Sequence, residues 1–213
     1  MAITPPATHP RRRRTRAQAR AEILEAARTL LAEVPAHEAT VVAIMARTTL
    51  SRKSFYVYFR DRAELLTTLV SPLRANADAT LRAWRESEDA VASGRAALEG
   101  AAAVYHEHGQ LLRALADAAD RDAEAGAVWR SLIDPVIAVG VLKIESATAA
   151  GESSGLDPHG TARALVNMNV AHFFDQLAGK PDADVDTVID TLMTIWQRTI
   201  YNVAGSPPSL ERT

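Results

Sequence analysis

Apolar residues recur every three or four positions along most of this chain, which is the spacing of one face of an α-helix. The first such stretch begins at Ala17, is closed by Pro35, and carries Ile23, Ala27, Leu30, Leu31 and Val34. Longer stretches follow at roughly 61–84, 90–107, 111–118, 124–149, 158–178 and 184–203. No segment alternates apolar and polar residues as a half-buried strand does. The pattern predicts an all-α protein with about nine helices.

Two short helices are predicted between the first long helix and the second, at roughly 61–84. Thr40 and Ser51 each precede a short apolar pattern and are favoured N-cap residues, so a tight turn at 48–50 separates the two helices. Farther along, Gly109 is expected to break one helical stretch in two. Pro135 is expected to kink another, because proline has no N–H to donate to the helix ladder.

The charge is distributed unevenly, although the formal net charge is only −2. Residues 1–62 hold 12 Lys or Arg against 5 Asp or Glu, whereas the remainder holds 12 against 21. Residues 1–16 show no periodicity and are predicted to be a disordered basic arm, rich in proline and ending in Arg11, Arg12, Arg13, Arg14 and Arg16. A basic end on an acidic body indicates that this end binds nucleic acid.

Several other classes of function are disfavoured. The chain has no cysteine, so disulfides, thiolate metal sites and a cysteine nucleophile are excluded. His106 and His108 lie at i, i+2 and point apart on a helix, while His172 and Asp175 lack a third ligand. No catalytic motif or phosphate-binding glycine loop is present. We expect no metal, no cofactor and no enzyme activity. With no apolar run near 18 residues and no signal peptide, we also expect no membrane association and a cytoplasmic protein.

The segment 40–59 has the layout of a helix-turn-helix: a scaffold helix, a turn and a second short helix. That second helix would expose Ser51, Arg52, Lys53, Ser54 and Tyr56. In a major groove, Arg52 and Lys53 could donate to guanine acceptors or phosphates, and the hydroxyls would lie near phosphates. A small helical bundle with a solvated basic face fits the same spacing, and the spacing alone leaves both interpretations open.

The same segment resembles the signature of TetR-family transcriptional regulators. The residues that carry the resemblance are Thr40, Ile44, Ala46, Ser51, Phe55, Tyr56, Tyr58 and Phe59, followed by Arg62, Leu65 and Leu66. The resemblance implies that Phe55 and Phe59 are core, that Thr40, Tyr56 and Tyr58 face phosphates, and that Arg62 touches a phosphate. The family's turn usually contains Ala-Gly, whereas this chain has Thr48-Thr49, so either the turn dihedrals differ or the turn is locally less stable.

The C-terminal helices resemble those of the EthR-like repressors within this family, over 164–179 and 190–202. The resemblance implies a long apolar tunnel for a small apolar effector, with Trp129, Asn169, Phe174 and Trp196 as pocket residues. An amide on an apolar helix face needs a hydrogen-bond partner. For Asn169, either a ligand carbonyl or a neighbouring backbone group could be that partner. Trp196 could likewise be an ordinary core residue.

The last predicted helix carries apolar residues on more than one face, namely Val188, Ile189, Leu192, Met193, Ile195, Trp196 and Ile200. We expect a homodimer through the last two helices, the alternative being a central core helix in a monomer.

The predicted organisation is a helix-turn-helix domain over 17–77 and an effector-binding and dimerisation domain over 78–213. Such a protein would bind a palindromic operator and repress transcription until an effector releases the protein from the DNA. In the alternative, the second domain responds to a protein partner or to no ligand.

Overall fold

The computed structural model describes residues 15–153 and 155–201. Over these residues the chain forms eight α-helices and one 3-10 turn, and contains no strand. The helices are α1 (Arg16–Glu33), α2 (Val41–Ala46), α3 (Arg52–Tyr58), α4 (Arg62–Glu86), α5 (Ala90–Ala118), α6 (Ala123–Ala149), α7 (Pro158–Gln176) and α8 (Val185–Ile200), with the 3-10 turn at Ala36–Glu38. The all-α architecture predicted from the sequence is confirmed.

Side-chain caps fix where most of the helices begin. Seven of the eight helices start after a Thr or Asp whose oxygen accepts a hydrogen bond from a backbone N–H of the first turn. Thr40 caps α2 as predicted, at 3.2 Å from the Ala43 nitrogen. Ser51 occupies the N-cap position of α3, but its Oγ lies 2.9 Å from the Ser54 Oγ and makes no cap bond.

The first helix begins slightly earlier than predicted. Thr15 and Gln18 form a reciprocal capping box, which places Arg16 in the first turn of α1. The last two residues of the predicted basic arm, 1–16, are therefore part of a capped helix. The remainder of that prediction, including Arg11, Arg12, Arg13 and Arg14, lies outside the described residues.

Gly109 does not break a helix, and α5 runs through it without interruption. The reason is close packing. A Cβ at position 109 would lie 2.5 Å from the Cβ and 2.7 Å from the Cα of Ala178, so the absence of a side chain lets two backbones approach. The two helices expected at 90–107 and 111–118 are therefore one, and Gly109 is a packing residue.

The first four helices form a small head whose core includes Phe55 and Phe59, both almost fully buried as the resemblance implied. Helix α4 leaves this head and continues into the second domain, so the predicted boundary after residue 77 falls inside a continuous helix. Leu65 and Leu69 belong to the core of the head, whereas Trp84, near the other end of α4, belongs to the distal core of the second domain.

Helix α6 is apolar enough to satisfy the length and composition test for a membrane span, contrary to the expectation that no segment would. Its best 18-residue window has a mean hydropathy of 1.5. A core helix of a soluble protein passes the same test. In this structure α6 packs against α4, α5 and α7, burying Ile137, Val139, Val141 and Ile144. It also remains one helix through Pro135.

The apolar residues of α8 are buried within the same subunit, which corrects the prediction of two apolar faces. Val188, Ile189, Leu192, Met193, Trp196 and Ile200 all pack inward. Only Ile195 among its large apolar residues is exposed, at 36%. The width of the apolar pattern reflects contacts with more than one neighbouring helix, since α8 packs against both α5 and α7.

Candidate functional site

Helix α3 presents a polar and basic surface at one end of the molecule. Ser51, Arg52, Lys53 and Tyr56 are exposed, and Ser54 is half-buried. No hydrogen bond or ion pair joins the side chain of Arg52 or Lys53 to any other described residue, so both cations are available to an external partner. On the opposite side of the helix, Phe55 packs into the head and fixes the orientation of this surface.

The turn before α3 accommodates two threonines through hydrogen bonds. The Thr48 hydroxyl donates to the Met45 carbonyl at 2.9 Å and accepts from the Leu50 nitrogen at 3.2 Å. The backbone N–H and hydroxyl of Thr49 both donate to Glu22 on α1, at 2.6 and 2.8 Å. No described non-glycine residue has a positive φ, so the turn has dihedrals that do not require glycine.

Among the remaining predicted DNA-contacting residues, Thr40 and Tyr58 differ in exposure. Thr40 is exposed at the start of α2, and Tyr58 is half-buried against the core of the head.

Two further features of this surface were not predicted. Val57 is 57% exposed on α3, and the Arg16 guanidinium donates to its carbonyl at 3.2 Å. The Thr15-x-x-Gln18 capping pattern is the local signal that places Arg16 in α1 and not in the arm.

Arg62 is not on this surface, which corrects its assignment as a phosphate contact. Its side chain is only 15% exposed, and its guanidinium donates to the carbonyls of Ala39 and Ala36 at 3.0 and 2.6 Å. It also pairs with Asp122 at 2.9 Å and Glu124 at 2.8 Å. These four contacts join the segment just before α2 to the first turn of α6, so Arg62 connects the head to the second domain.

Asp122 has two functions at this junction. Its carboxylate caps α6, accepting from the backbone nitrogens of Glu124 and Ala125, both at 3.1 Å. Burial acts to raise the pKa of Asp122, but the hydrogen bond from Arg62 and those from the α6 amides outweigh it and hold the pKa below its ordinary value. The carboxylate is therefore charged at neutral pH and holds Arg62 in place.

A cavity of about 420 Å³ lies inside the second domain, among α4, α5, α6, α7 and α8. Its walls are mainly aliphatic and aromatic. On α4 the lining extends from Leu73 to Trp84, which is ~16 Å along the helix axis at 1.5 Å per residue. The size and apolar lining of the cavity are those of a site for a small lipophilic molecule.

Three of the four predicted pocket residues line this cavity. They are Trp129, Asn169 and Trp196. Asn169 is buried, and its side-chain oxygen accepts a hydrogen bond from the Trp196 indole nitrogen at 3.0 Å. Its partner is thus neither of the two considered from sequence. Because an indole can only donate, this bond fixes the orientation of the amide and leaves its NH2 group as a donor without an acceptor among the described residues.

Phe174 does not line the cavity, and its neighbour Phe173 does, which corrects the fourth assignment. The Phe174 ring lies behind the wall, stacked on Trp129 with 6.0 Å between ring centroids. The Arg113 guanidinium covers it at 4.7 Å. Sequence could not separate the two adjacent phenylalanines, because both are buried and apolar. Other lining residues that it missed include Thr80, Trp84, Tyr105 and Lys143.

Comparison with known proteins agrees with this two-part arrangement. Residues 23–69, which contain α2 and α3, match the family described as bacterial regulatory proteins of the tetR family. Residues 94–202, which cover most of the cavity, match the C-terminal domain of the transcriptional regulator EthR. The chain belongs to the TetR family. It is therefore a DNA-binding transcriptional regulator with an EthR-type second domain.

Individual relatives of this TetR-family chain support the assignment. The HTH-type transcriptional regulator EthR of Mycobacterium tuberculosis (strain H37Rv) is 28% identical over 184 residues, which cover 84% of this chain and 85% of that protein. The crystal structure of a TetR-like transcriptional regulator from Rhodococcus sp. RHA1 superposes with a TM-score of 0.68 at 26% identity, covering 91% of this chain and 100% of that one. NalD of Pseudomonas aeruginosa, the secondary repressor of the MexAB-OprM efflux pump, shares the fold (TM-score 0.69, 19% identity, 89% and 98% covered).

Proposed function

We propose that this TetR-family regulator is a cytoplasmic homodimeric repressor that binds a palindromic operator and is released by a small lipophilic effector. The observation that carries the proposal is the apolar cavity of about 420 Å³, whose walls include the same α4 and α6 that meet the head at Arg62. A cavity with this connection can convert ligand binding into a change at the DNA-binding end.

Arg52 and Lys53 are proposed to read base edges in the major groove, since both are exposed and unpaired at the start of α3. Ser51, Ser54, Thr40, Tyr56 and Tyr58 are proposed to contact phosphates around them. A specific contact from Arg or Lys to a base is worth ~1–3 kcal/mol of discrimination. Arg62 is left out of this set because its guanidinium is held inside the protein.

In the cavity, Asn169 is proposed to orient the effector. The Trp196 indole occupies its side-chain oxygen, so the free NH2 group would donate to a carbonyl or ether oxygen of the ligand. Trp129 and Phe173 would provide apolar contact around it. An effector can shift the protein toward release only if it binds one arrangement of the two heads better than the other.

The proposed route of coupling runs along α6. Trp129 contributes to the cavity wall about two turns after Asp122 and about one and a half turns after Glu124, the two residues that hold Arg62. A ligand that displaces Trp129 would move the first turn of α6. Arg62 would transmit that movement to the carbonyls of Ala36 and Ala39, immediately before the helix-turn-helix.

The dimer is proposed to form through the outer faces of α7 and α8. With most apolar residues of α8 turned inward, Ile195 is its one large exposed apolar side chain within the described part of the chain. A two-fold pair of heads is what a helix-turn-helix protein uses to contact two half-sites one DNA turn apart.

The DNA-binding part is tested by selecting binding sequences from a random duplex library with the purified full chain. We expect a palindromic consensus. Arg52→Ala or Lys53→Ala should then lose ~1–3 kcal/mol of specific binding per base contact, measured by fluorescence anisotropy. Arg130→Ala, which removes an exposed cation from α6, is the matched control and should bind normally. Unchanged affinity and sequence preference in both α3 variants would exclude α3 as the reading helix.

The effector part is tested by titrating dodecan-1-ol, a neutral lipophile with one oxygen, into the protein by calorimetry. We expect saturable binding and a raised melting temperature, since a ligand that binds only the folded state stabilises it. Ala101→Trp fills the cavity with a side chain and should abolish the binding. Wild-type protein that binds no lipophile would favour the alternative in which the second domain responds to a protein or to nothing.

A further inference from the structure

The apolar cavity contains one lysine, Lys143 of α6, at its distal end. Its ammonium donates to the carbonyl of Ser87 at 2.9 Å, and Ser87 is the C-cap of α4. Trp84, one turn before Ser87, lines the same end of the cavity, whereas Trp129 lies toward the head. The lysine therefore marks one end of an elongated apolar space.

Lys143 has no counterion among the described residues. No carboxylate oxygen of residues 15–153 or 155–201 lies within 4.0 Å of its nitrogen, and its one hydrogen bond is to a neutral carbonyl. An ammonium has three N–H donors, so two remain. A partly buried cation without a counterion is unfavourable. The position is thus prepared for a negatively charged group that arrives with a ligand.

Acidic residues near this end limit which ligands are suitable. Glu88, Asp89 and Glu152, here called the acidic rim, surround a smaller cleft that shares Ala90, Val91 and Tyr201 with the main cavity. Asp89 caps α5 through the Ala92 nitrogen at 2.9 Å. Because the rim repels additional negative charge, a head group with a single charge and two oxygens suits the one free ammonium better than a phosphate does.

We propose that the effector is an amphiphile with a carboxylate head, bound by Lys143, and an unbranched apolar tail that runs along α4 toward Trp129. This inference depends on the proposed function, because it names the class of effector that the cavity accepts. Lys143 then determines specificity by charge, whereas the aromatic residues contact the tail irrespective of its head group.

The experiment measures binding of three matched probes to the full-length protein by calorimetry at one ionic strength. The probes are dodecanoate, methyl dodecanoate and dodecyltrimethylammonium. A charge-assisted hydrogen bond predicts that wild-type protein binds dodecanoate about 10- to 100-fold more tightly than its methyl ester. Lys143→Met should lose this preference without weakening ester binding. Lys143→Arg should retain it, as should Lys180→Met, which removes the same charge near the end of α7 and away from the cavity.

The outcomes separate this inference from the function it rests on. Equal affinity of wild-type protein for dodecanoate and the ester would overturn the inference of a carboxylate head. The proposal that the cavity binds a lipophile would still stand. If dodecyltrimethylammonium binds most tightly, the acidic rim and not Lys143 selects the head group, and the inference of a carboxylate head is overturned. A preference for dodecanoate that survives in Lys143→Met would refute the role of that lysine. Failure of all three probes to bind would refute the proposed effector function itself. The wild-type series decides the head group even if Lys143→Met does not fold.

Discussion

Replacing Arg62 with Met should destabilise the protein strongly, because the guanidinium makes four contacts across the junction of the two domains. Methionine keeps an apolar stem but is shorter and removes every donor. The carbonyls of Ala36 and Ala39 would each lose the Arg62 donor, although that of Ala36 still accepts from the Ala39 nitrogen at 3.1 Å. Asp122, whose side chain is 12% exposed, would keep only its bonds to the α6 amides.

The magnitude follows mainly from Asp122. Removing one partner of a buried ion pair costs ~3–5 kcal/mol, because the other charge loses its counterion inside the protein. The pair with Glu124 adds little, since that carboxylate is 41% exposed and water screens it. We therefore expect Arg62→Met to lower the free energy of unfolding by about 3–5 kcal/mol. The control Arg85→Met breaks an exposed pair with Glu86 and should cost ~1 kcal/mol or less.

The assay is urea unfolding followed by circular dichroism, at one fixed concentration because a dimer unfolds in a concentration-dependent way. The pH adds a second check. The folded-state pKa of Asp122 is lowered, so its contribution is present above the ordinary carboxyl pKa and is lost as the pH falls through the folded value. The difference in stability between wild type and Asp122→Asn should shrink accordingly in acid. If Arg62→Met lowers the free energy of unfolding by less than about 1 kcal/mol at neutral pH, Arg62 does not stabilise the contact between the head and the second domain as described here.

Three further predictions concern packing, the turn and the dimer. Gly109→Ala should lower the melting temperature by several degrees, because its Cβ would meet the Ala178 backbone at 2.7 Å; an unchanged value would mean that α5 and the end of α7 separate easily. Thr49→Val removes the hydroxyl bond to Glu22 and should cost ~1 kcal/mol in chemical unfolding, whereas a neutral result would mean that the backbone bond suffices. Ile195→Glu should yield folded monomers in sedimentation velocity, and a dimer that persists would exclude this part of α8 from the interface.

The sequence was sufficient for features set by local periodicity and capping. The all-α class and the cap at Thr40 follow from apolar spacing and from known preferences at helix ends, and the burial of Phe55 and Phe59 was implied by the family resemblance. Gly109 was misinterpreted because glycine disfavours a helix locally, while its packing against Ala178 depends on a residue far away in the chain. The pattern shows that a position is apolar, but it does not show which neighbour the position meets.

The candidate site shows the same limit at single residues. Resemblance identified Trp129, Asn169 and Trp196 as cavity residues, but it could not distinguish Phe173 from Phe174, which differ only in which side of α7 they occupy. Arg62 was assigned to DNA because it is basic and follows the helix-turn-helix. Its carboxylate partners on α6 are about 60 residues away, and no local pattern indicates an ion pair at that distance.

The most direct test of the account measures operator affinity and ligand affinity in the same system. The operator is the sequence selected from the random library, and the ligand is dodecan-1-ol, the neutral probe of the cavity. Coupling between two sites is reciprocal, so each ligand must change the affinity of the other by the same factor. We predict that saturating dodecan-1-ol weakens operator binding at least about fivefold in wild-type protein. It should have no effect on the cavity-filled Ala101→Trp variant. An operator affinity that stays constant while the cavity is fully occupied would contradict effector control of DNA binding.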